Sequence, residues 1–183
     1  MNNPNAIKRM ESIRIGDIMI QLADYPKVNP EQTLKEAIHI MKDSRLVIAG
    51  ETSLPRVLLA IDDQGRLRGS VRRRDIMRGL EPKFLVTQPL NYRKKLFDVS
   101  VDPNLSEMSH EKLVEGIKKQ AEMKVKKVMR PLNIYVDFDD HIIKGIYECV
   151  GYGITILPVL KDKQVVGIVR SVELFRELAK IVD

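Results

Sequence analysis

Apolar residues recur with helical spacing in two separate parts of the chain. In the first part, Leu34, Ala37, Ile38 and Met41 follow the i, i+3, i+4, i+7 pattern of a helix that buries one face. The same offsets recur in the second part, at Ile142, Gly145, Ile146 and Cys149. The pattern therefore predicts one short amphipathic helix in each half of the chain.

The residues ahead of both stripes are typical of helix starts. Asn29 and Asp137 are favourable N-cap residues, and Pro30 suits the first helical position. Gln32 stands three residues after Asn29, which is the spacing of a capping box. We therefore expect the two helices to begin directly after Asn29 and Asp137.

Two short apolar runs follow each predicted helix. In the first half, residues 57–61 lead through the turn sequence DDQG to residues 66–72. In the second half, residues 157–160 lead through KDKQ to residues 165–170. An acidic residue and another helical stripe come next in both halves. The predicted order in each half is thus a short strand, a helix, a two-stranded hairpin and a closing helix.

The two halves also match in sequence. GSVRRRDIM at 69–77 aligns with GIVRSVELF at 167–175, and IGDIM at 15–19 aligns with VKKVM at 125–129. Each unit is too small to be stable alone, so the two should pack together. We predict an α/β fold of two tandem repeats, residues 13–82 and 124–183, related by an approximate twofold axis.

The segment between the repeats, residues 83–123, matches neither of them. Its first part is too apolar for a disordered linker and predicts an extended arm packed on another surface. NLSE at 104–107 predicts the start of a helix that continues to about Met123. That helix either covers its own chain's repeats or contacts a partner, and the sequence leaves both possibilities open.

Composition excludes several classes of protein. One cysteine excludes an internal disulfide framework, and three scattered histidines argue against structural zinc. No apolar run is long enough to span a membrane and no signal peptide is evident, so we predict a cytoplasmic protein. Glycine-loop and catalytic motifs are absent from the sequence, which predicts a non-enzyme. The acids of DFDDH at 137–141 suit a helix N-terminus better than a metal site.

The order of these elements resembles a CBS-domain pair (cystathionine-β-synthase-type repeats, the Bateman module). The resemblance is carried by GDIM at 16–19, the V-x-P sequence at 28–30, and a Gly-h-h-x-x-x-acid pattern before each closing helix. It implies a non-catalytic regulatory module, requiring no cofactor, that binds AMP, ADP, ATP or S-adenosylmethionine between its repeats. It further implies a homodimer, with a separate effector protein as a possible partner.

Position within the family pattern also assigns the ligand contacts. Asp75 and Glu173 would accept the ribose hydroxyls, while Arg72 and Arg170 stand where the family has threonine. An arginine there can bind phosphate, or it can pair with the neighbouring acid and fill the site itself. Capping of the following helix is an alternative role for both acids. The residues that the resemblance assigns to the two sites are Met19, Val28, Gly69, Ser70, Arg72, Asp75, Met129, Val136, Gly167, Arg170, Ser171 and Glu173.

A net charge of +6 keeps a second hypothesis open. Six basic residues lie in one short stretch, namely Arg66, Arg68, Arg72, Arg73, Arg74 and Arg78. They suggest a nucleic-acid-binding protein, although the aromatic content is only 5% and no nucleic-acid-binding motif is recognised. On the ligand-binding hypothesis, Arg73 and Arg74 are solvated surface charges instead.

Overall fold

The computed structural model describes residues 12–48, 50–81 and 110–182. The arm predicted from residue 83 and the helix start predicted at 104–107 lie outside these ranges. The first-half elements are α1 (Ile15–Ile18), β1 (Ile20–Gln21), β2 (Lys27–Val28), α2 (Leu34–Asp43), β3 (Leu46–Ile48), β4 (Glu51–Ser53), β5 (Val57–Ile61), β6 (Leu67–Arg72) and α3 (Arg73–Leu80). The remaining elements are α4 (His110–Ala121), a 3₁₀ turn (Val125–Lys127), β7 (Val136–Asp137), α5 (Ile142–Tyr152), β8 (Ile156–Lys161), β9 (Gln164–Arg170) and α6 (Ser171–Val182).

The two halves have the same arrangement of strands and helices. In each, a two-residue strand pairs in parallel with the first strand of an antiparallel hairpin, as β2 with β5 and as β7 with β8. The hairpins β5–β6 and β8–β9 have matching registers, with Val57 opposite Arg72 and Ile156 opposite Arg170. The predicted α/β fold of tandem repeats is confirmed. The small β3–β4 hairpin of the first half was not predicted.

Each half is completed by a segment from the other. Strand β1 pairs with β9 of the second half, and Ile15 donates its backbone N–H to the Asp140 carbonyl over 2.9 Å. The segment that aligns with it in the second repeat packs on the first half in the same way, because the Val125 backbone N–H donates to the Gln32 carbonyl over 2.8 Å. The residues that open each sequence repeat therefore pack on the opposite half.

The hydrophobic cores follow this exchange of segments. Val125, from the second sequence repeat, is fully buried in the core beneath α2 and α3. Ile15, from the first, is fully buried in the core beneath α5 and α6. A third cluster lies where the two hairpins meet and includes Leu59 and Ile168. The halves therefore share buried surface instead of forming two independent cores.

Two glycines allow the exchanged segments to approach the hairpins. A Cβ atom on Gly167 would lie 2.6 Å from the Ile20 carbonyl oxygen and 2.6 Å from Met19 Sδ. A Cβ on Gly69 would collide with the Arg130 carbonyl oxygen in the equivalent place. At Gly69, which the resemblance assigns to a ligand site, the approaching backbone belongs to the exchanged segment of this chain.

Both first helices begin later than expected. Helix α2 is capped by Thr33, which shares a capping box with Glu36. The prediction of a start after Asn29 is wrong, because Asn29 N–H donates to Gln32 Oε1 (2.9 Å) within a turn ahead of the helix. Similarly, α5 is capped by His141, whereas Asp137 ends strand β7 and donates its N–H to Asp140 in the turn before the helix. Asn29 and Gln32 do have the spacing of a capping box, but their hydrogen bond closes a turn instead of starting a helix.

Helix α4 confirms the described part of the helix predicted between the repeats. It packs beside α3 and α2 but keeps Val114 and Ile117 partly exposed, at 48% and 38%. Helix α4 thus covers part of its own first half, and its exposed apolar residues leave surface that a partner could contact.

The crossing at Gly167 generates a stability prediction. Gly167→Ala should lower the free energy of unfolding by about 1–3 kcal/mol, because the added methyl meets backbone that cannot move aside. Urea denaturation measures this change. The matched control is Gly151→Ala in α5, where an added Cβ meets nothing within 4 Å. That control should be neutral or raise stability by up to about 1 kcal/mol. Equal effects of the two changes would contradict the role assigned to the crossing.

Candidate functional site

A cleft of about 500 Å³ lies between the two halves, where the hairpins and the closing helices converge. We call it the central cleft. It is lined by Tyr25, Ser53, Leu54, Arg56, Val57, Arg73, Thr155, Ile156, Arg170, Ser171, Val172 and Arg176. Its size falls within the range of small-molecule sites. Both halves contribute to its wall, so a bound molecule would contact both.

Equivalent positions of the two halves line the central cleft. The hairpin registers make Arg56 equivalent to Thr155, and Arg73 equivalent to Ser171. Arg73 and Ser171 are the first residues of α3 and α6, so two helix N-termini open onto the same space. Helix N-termini and arginines both favour an anionic ligand.

Among the described residues that line the central cleft there is no Asp or Glu, whereas four are arginines: Arg56, Arg73, Arg170 and Arg176. Arg73 is positioned by a hydrogen bond from its Nη2 to the Pro55 carbonyl (2.9 Å). Low-dielectric walls concentrate the field of such a set. The cleft is therefore a positively charged recess.

Behind this wall, Arg170 is paired with Glu173. Arg170 Nε donates to Glu173 Oε2 over 2.8 Å, and its Nη2 donates to the other carboxylate oxygen. Burial would lower the pKa of Arg170, but the hydrogen bonds and charge of Glu173 outweigh burial and raise it. Arg176 stands 3.9 Å from Glu173. The pair fixes the Arg170 guanidinium at the edge of the cleft.

Tyr25 forms part of the same wall and is only 3% exposed. Burial raises the pKa of its phenol to about 12, while the charges of Arg170 and Glu173 act on it in opposite directions. The phenol therefore stays protonated at neutral pH and offers an apolar ring with a hydrogen-bonding end.

Asp75, the other predicted ribose acid, does not line the central cleft and is 2% exposed. Arg72 Nε and Nη2 donate to its two oxygens over 2.8 and 3.0 Å, and Arg130 Nε donates to Oδ1 over 2.9 Å. Burial would raise the pKa of Asp75, but the hydrogen bonds from Arg72 and Arg130 prevail and lower it to about 2. Both carboxylate oxygens are already engaged.

The two acids are thus held differently. Arg130, which clamps Asp75, belongs to the exchanged segment, and its equivalent in the first repeat is Ile20. Glu173 is instead contacted by Arg170 and Arg176 of its own half. At both acids the arginine at the family's threonine position pairs with the neighbouring acid, which is the alternative that the sequence left open.

The other predicted site residues are spread along the two hairpins and cores. Arg170 and Ser171 line the central cleft, whereas Asp75 lines a second cleft of about 420 Å³ beside α4. Four lie in or against the two cores: Val28, Val136, Met19 and Met129. Gly69, Ser70 and Gly167 lie where the exchanged segments cross the hairpins.

Sequence reasoning missed several residues of the cleft wall. Arg56, Thr155 and Tyr25 were not singled out, and Arg73 was interpreted as a solvated charge. Arg73 is exposed, as that interpretation requires, but it also lines the central cleft. The position of Arg56 and Thr155 in the sequence could have indicated them, because each immediately precedes the first strand of its hairpin.

The acidic sequence DFDDH behaves as a helix entry. Asp140 accepts the Asp137 N–H over 2.6 Å and pairs with Lys144 over 2.7 Å. No group of three or more potential ligand side chains in the described ranges is arranged to hold a metal ion. Nor does any helix in those ranges have the length and apolar composition needed to cross a bilayer.

Comparisons with known proteins agree with this architecture. The family model of the CBS domain matches residues 15–82. No curated protein matches the chain significantly. The CBS domain of a CBS-domain-containing membrane protein from Sphaerobacter thermophilus is similar in structure, with 19% identity over 94% of this chain and 91% of that one, and a TM-score of 0.64.

Two further solved structures share the fold. A CBS-domain-containing protein from Kribbella flavida has 17% identity, coverage of 92% and 99% of the two chains, and a TM-score of 0.65. CBSX2 in complex with AMP has 17% identity, coverage of 94% and 100%, and a TM-score of 0.59. The family match identifies a CBS domain at residues 15–82, and the chain as a whole has the repeated fold that these solved CBS-domain proteins share over most of their length.

Proposed function

We propose that this protein is a non-catalytic regulatory module that binds an adenine nucleotide in the central cleft. The observation that carries the proposal is the positively charged recess between the halves, lined by four arginines and by the first residues of two helices. The AMP complex of CBSX2, a protein of the same fold, supports the choice of ligand. The phosphate would bind at Arg170 and Ser171, and the apolar wall would receive the base.

A ligand in this position would act on the arrangement of the two halves. Arg73 belongs to the first half and Ser171 to the second, and both line the same cleft. A ligand that contacts both sides favours whichever relative arrangement gives it the better contacts. A separate effector protein or a second copy of the chain would respond to that arrangement.

The nucleic-acid hypothesis is less favoured by the placement of the basic stretch. Arg66 pairs with Asp62 over 3.0 Å, and Arg72 is committed to Asp75. Arg73 lines the central cleft, while Arg78 lines the second cleft beside α4. These side chains therefore do not present one continuous basic surface, which sequence-independent binding to a phosphate backbone would use.

Calorimetric titration with AMP tests the proposal. The wild-type chain should bind AMP at one site per chain, and Thr155→Trp should abolish binding because the indole fills the cleft that Thr155 lines. The matched control is Thr52→Trp on β4, an exposed threonine outside the cleft wall, which should leave binding unchanged. Retained AMP binding in Thr155→Trp would place the ligand elsewhere. Salt-dependent DNA binding without AMP binding would favour the rival hypothesis.

An experiment can distinguish the ribose contact predicted for Asp75 from its structural role as the buried partner of Arg72 and Arg130. Asp75→Asn should lower the free energy of unfolding at pH 7 by about 2 kcal/mol, since the depressed carboxyl pKa stabilises the fold above the unfolded value of 3.8. The difference from wild type should shrink as the pH falls from about 4 towards 2, where the carboxylate becomes protonated. Denaturation series at several pH values measure this. If stability is unchanged while AMP affinity falls, Asp75 acts in binding instead of in the clamp.

We also propose that the protein forms a homodimer through the second half. Exposed apolar residues follow one face of α5, with Ile143, Tyr147 and Val150 at 48%, 70% and 77% exposure. The repeat alignment shows that the fold does not require them, because the equivalent positions of α2 are Lys35, His39 and Lys42. Two α2 faces would repel each other, whereas two α5 faces would bury apolar surface in a symmetric contact.

Exchanging the residues of the two faces tests the dimer. The wild-type chain should have twice its mass of 21.0 kDa at micromolar concentration. Introducing the α2 residues into α5, as Tyr147→His with Val150→Lys, should produce a monomer without unfolding the protein. Light scattering after size-exclusion chromatography measures both. Lys42→Gln, on the equivalent face of α2, should leave the dimer intact. A dimer that survives the double change would place the interface on another surface.

A further inference from the structure

The central cleft holds more positive charge than a single phosphate group requires. Arg56 and Arg73 come from the first half, and Arg170 and Arg176 from the second. Glu173 contacts Arg170 and Arg176, so its single negative charge acts on the second-half pair. Within the described part of the chain, Arg56 and Arg73 form no ion pair with a carboxylate. The uncompensated charge is therefore concentrated on the first-half side.

The first-half arginines are held next to each other. Arg73 N–H donates to the Arg56 carbonyl over 3.2 Å, which ties the start of α3 to the start of β5. The Arg73 guanidinium is fixed by its hydrogen bond to the Pro55 carbonyl. The equivalent backbone bond on the other side runs from Ser171 N–H to the Thr155 carbonyl over 3.0 Å, where both side chains are small hydroxyls. The first half thus places arginines where the second half has hydroxyls.

Arg56 and Arg73 line the same wall without a carboxylate partner in the described ranges, so their positive charges repel each other and an anion bound between them would relieve that repulsion. One terminal phosphate carries a charge of about −1.5 to −2 at neutral pH. Arg170, Arg176 and the N-terminus of α6 can hold it together, because Glu173 offsets only one of the two guanidinium charges. The fold does not need the first-half pair either, because Thr155 and Ser171 occupy the equivalent positions without charge. Arg56 and Arg73 therefore point to a second anionic group on the ligand.

We infer that the central cleft selects a ligand with at least two phosphate groups, one held by Arg170 and the start of α6 and the next by Arg56 and Arg73. This inference rests on the proposed nucleotide binding and further specifies how much negative charge the ligand carries. A cleft of about 500 Å³ has room for a nucleoside with a polyphosphate chain. Guanidinium groups suit this role because they bind phosphate oxygens in a forked, charge-assisted geometry.

Titration without magnesium tests the inference, using AMP, ADP, ATP, GTP and inorganic tripolyphosphate. ATP should bind about tenfold or more tightly than AMP, the scale of one added hydrogen bond between charged groups. Arg56→Gln should remove most of that advantage and change AMP affinity by less than about threefold. Arg73→Gln should act in the same direction. Arg74→Gln is the matched control, since Arg74 is exposed beside Arg73 but does not line the cleft, and it should leave the ratio of ATP to AMP affinity unchanged.

The outcomes separate this inference from the proposed function. Equal affinity for AMP and ATP would overturn the polyphosphate selectivity and leave adenine-nucleotide binding in place. Tight binding of tripolyphosphate and GTP, with no preference for ATP, would support the polyphosphate site and overturn the adenine specificity. If Arg74→Gln weakens ATP as much as Arg56→Gln does, the charge acts diffusely and the assigned contacts are wrong. Absence of binding by every probe would overturn both proposals.

Discussion

The structure depends on the crossing of two chain segments, each of which completes the opposite half. At the crossings, the backbone of Arg130 lies against Gly69 and the backbone of Ile20 lies against Gly167. Side chains at either glycine would hold the segments away from the hairpins. Because the crossings join the halves through backbone hydrogen bonds and buried residues such as Ile15 and Val125, neither half has a complete core alone. The close approach of the exchanged segments to the two hairpins therefore holds the halves together.

The same crossing determines the electrostatics around the cleft. Arg130 arrives on the exchanged segment and joins Arg72 on the buried carboxylate of Asp75. Two guanidinium groups on one carboxylate satisfy its oxygens, which is necessary for an acid that is 2% exposed. Arg72 is thereby turned to Asp75, and the neighbouring Arg73 faces the cleft instead. On the first-half side, the charge that lines the cleft therefore comes from Arg73 and not from Arg72, which the buried pair engages.

The sequence predicted the repeated fold well because periodicity and turn residues are local signals. The stripes from Leu34 and Ile142 identified α2 and α5, and the turn sequences located both hairpins. Helix starts were less predictable, because a capping-box spacing such as that of Asn29 and Gln32 can also close a turn. The cleft wall depends on contacts between distant segments. A single sequence shows that Arg56 and Arg73 are basic, but their proximity arises only from the hairpin register and the backbone bond between them.

The two halves differ in sequence at positions that line the central cleft. Its two sides therefore carry different amounts of positive charge, which two identical halves would not. If Thr155 and Ser171 were arginines like their counterparts Arg56 and Arg73, six guanidinium groups would line the same recess, and their mutual repulsion would oppose closure of the halves. If all four were hydroxyls, the affinity for anions would rest on the second-half pair that Glu173 partly neutralises. With Arg56 and Arg73 unpaired on one side, and with Glu173 partly neutralising Arg170 and Arg176 on the other, the proposed phosphorylated ligand would have one preferred orientation. The shape of the cleft thus follows from the similarity of the repeats, and its chemistry follows from their differences.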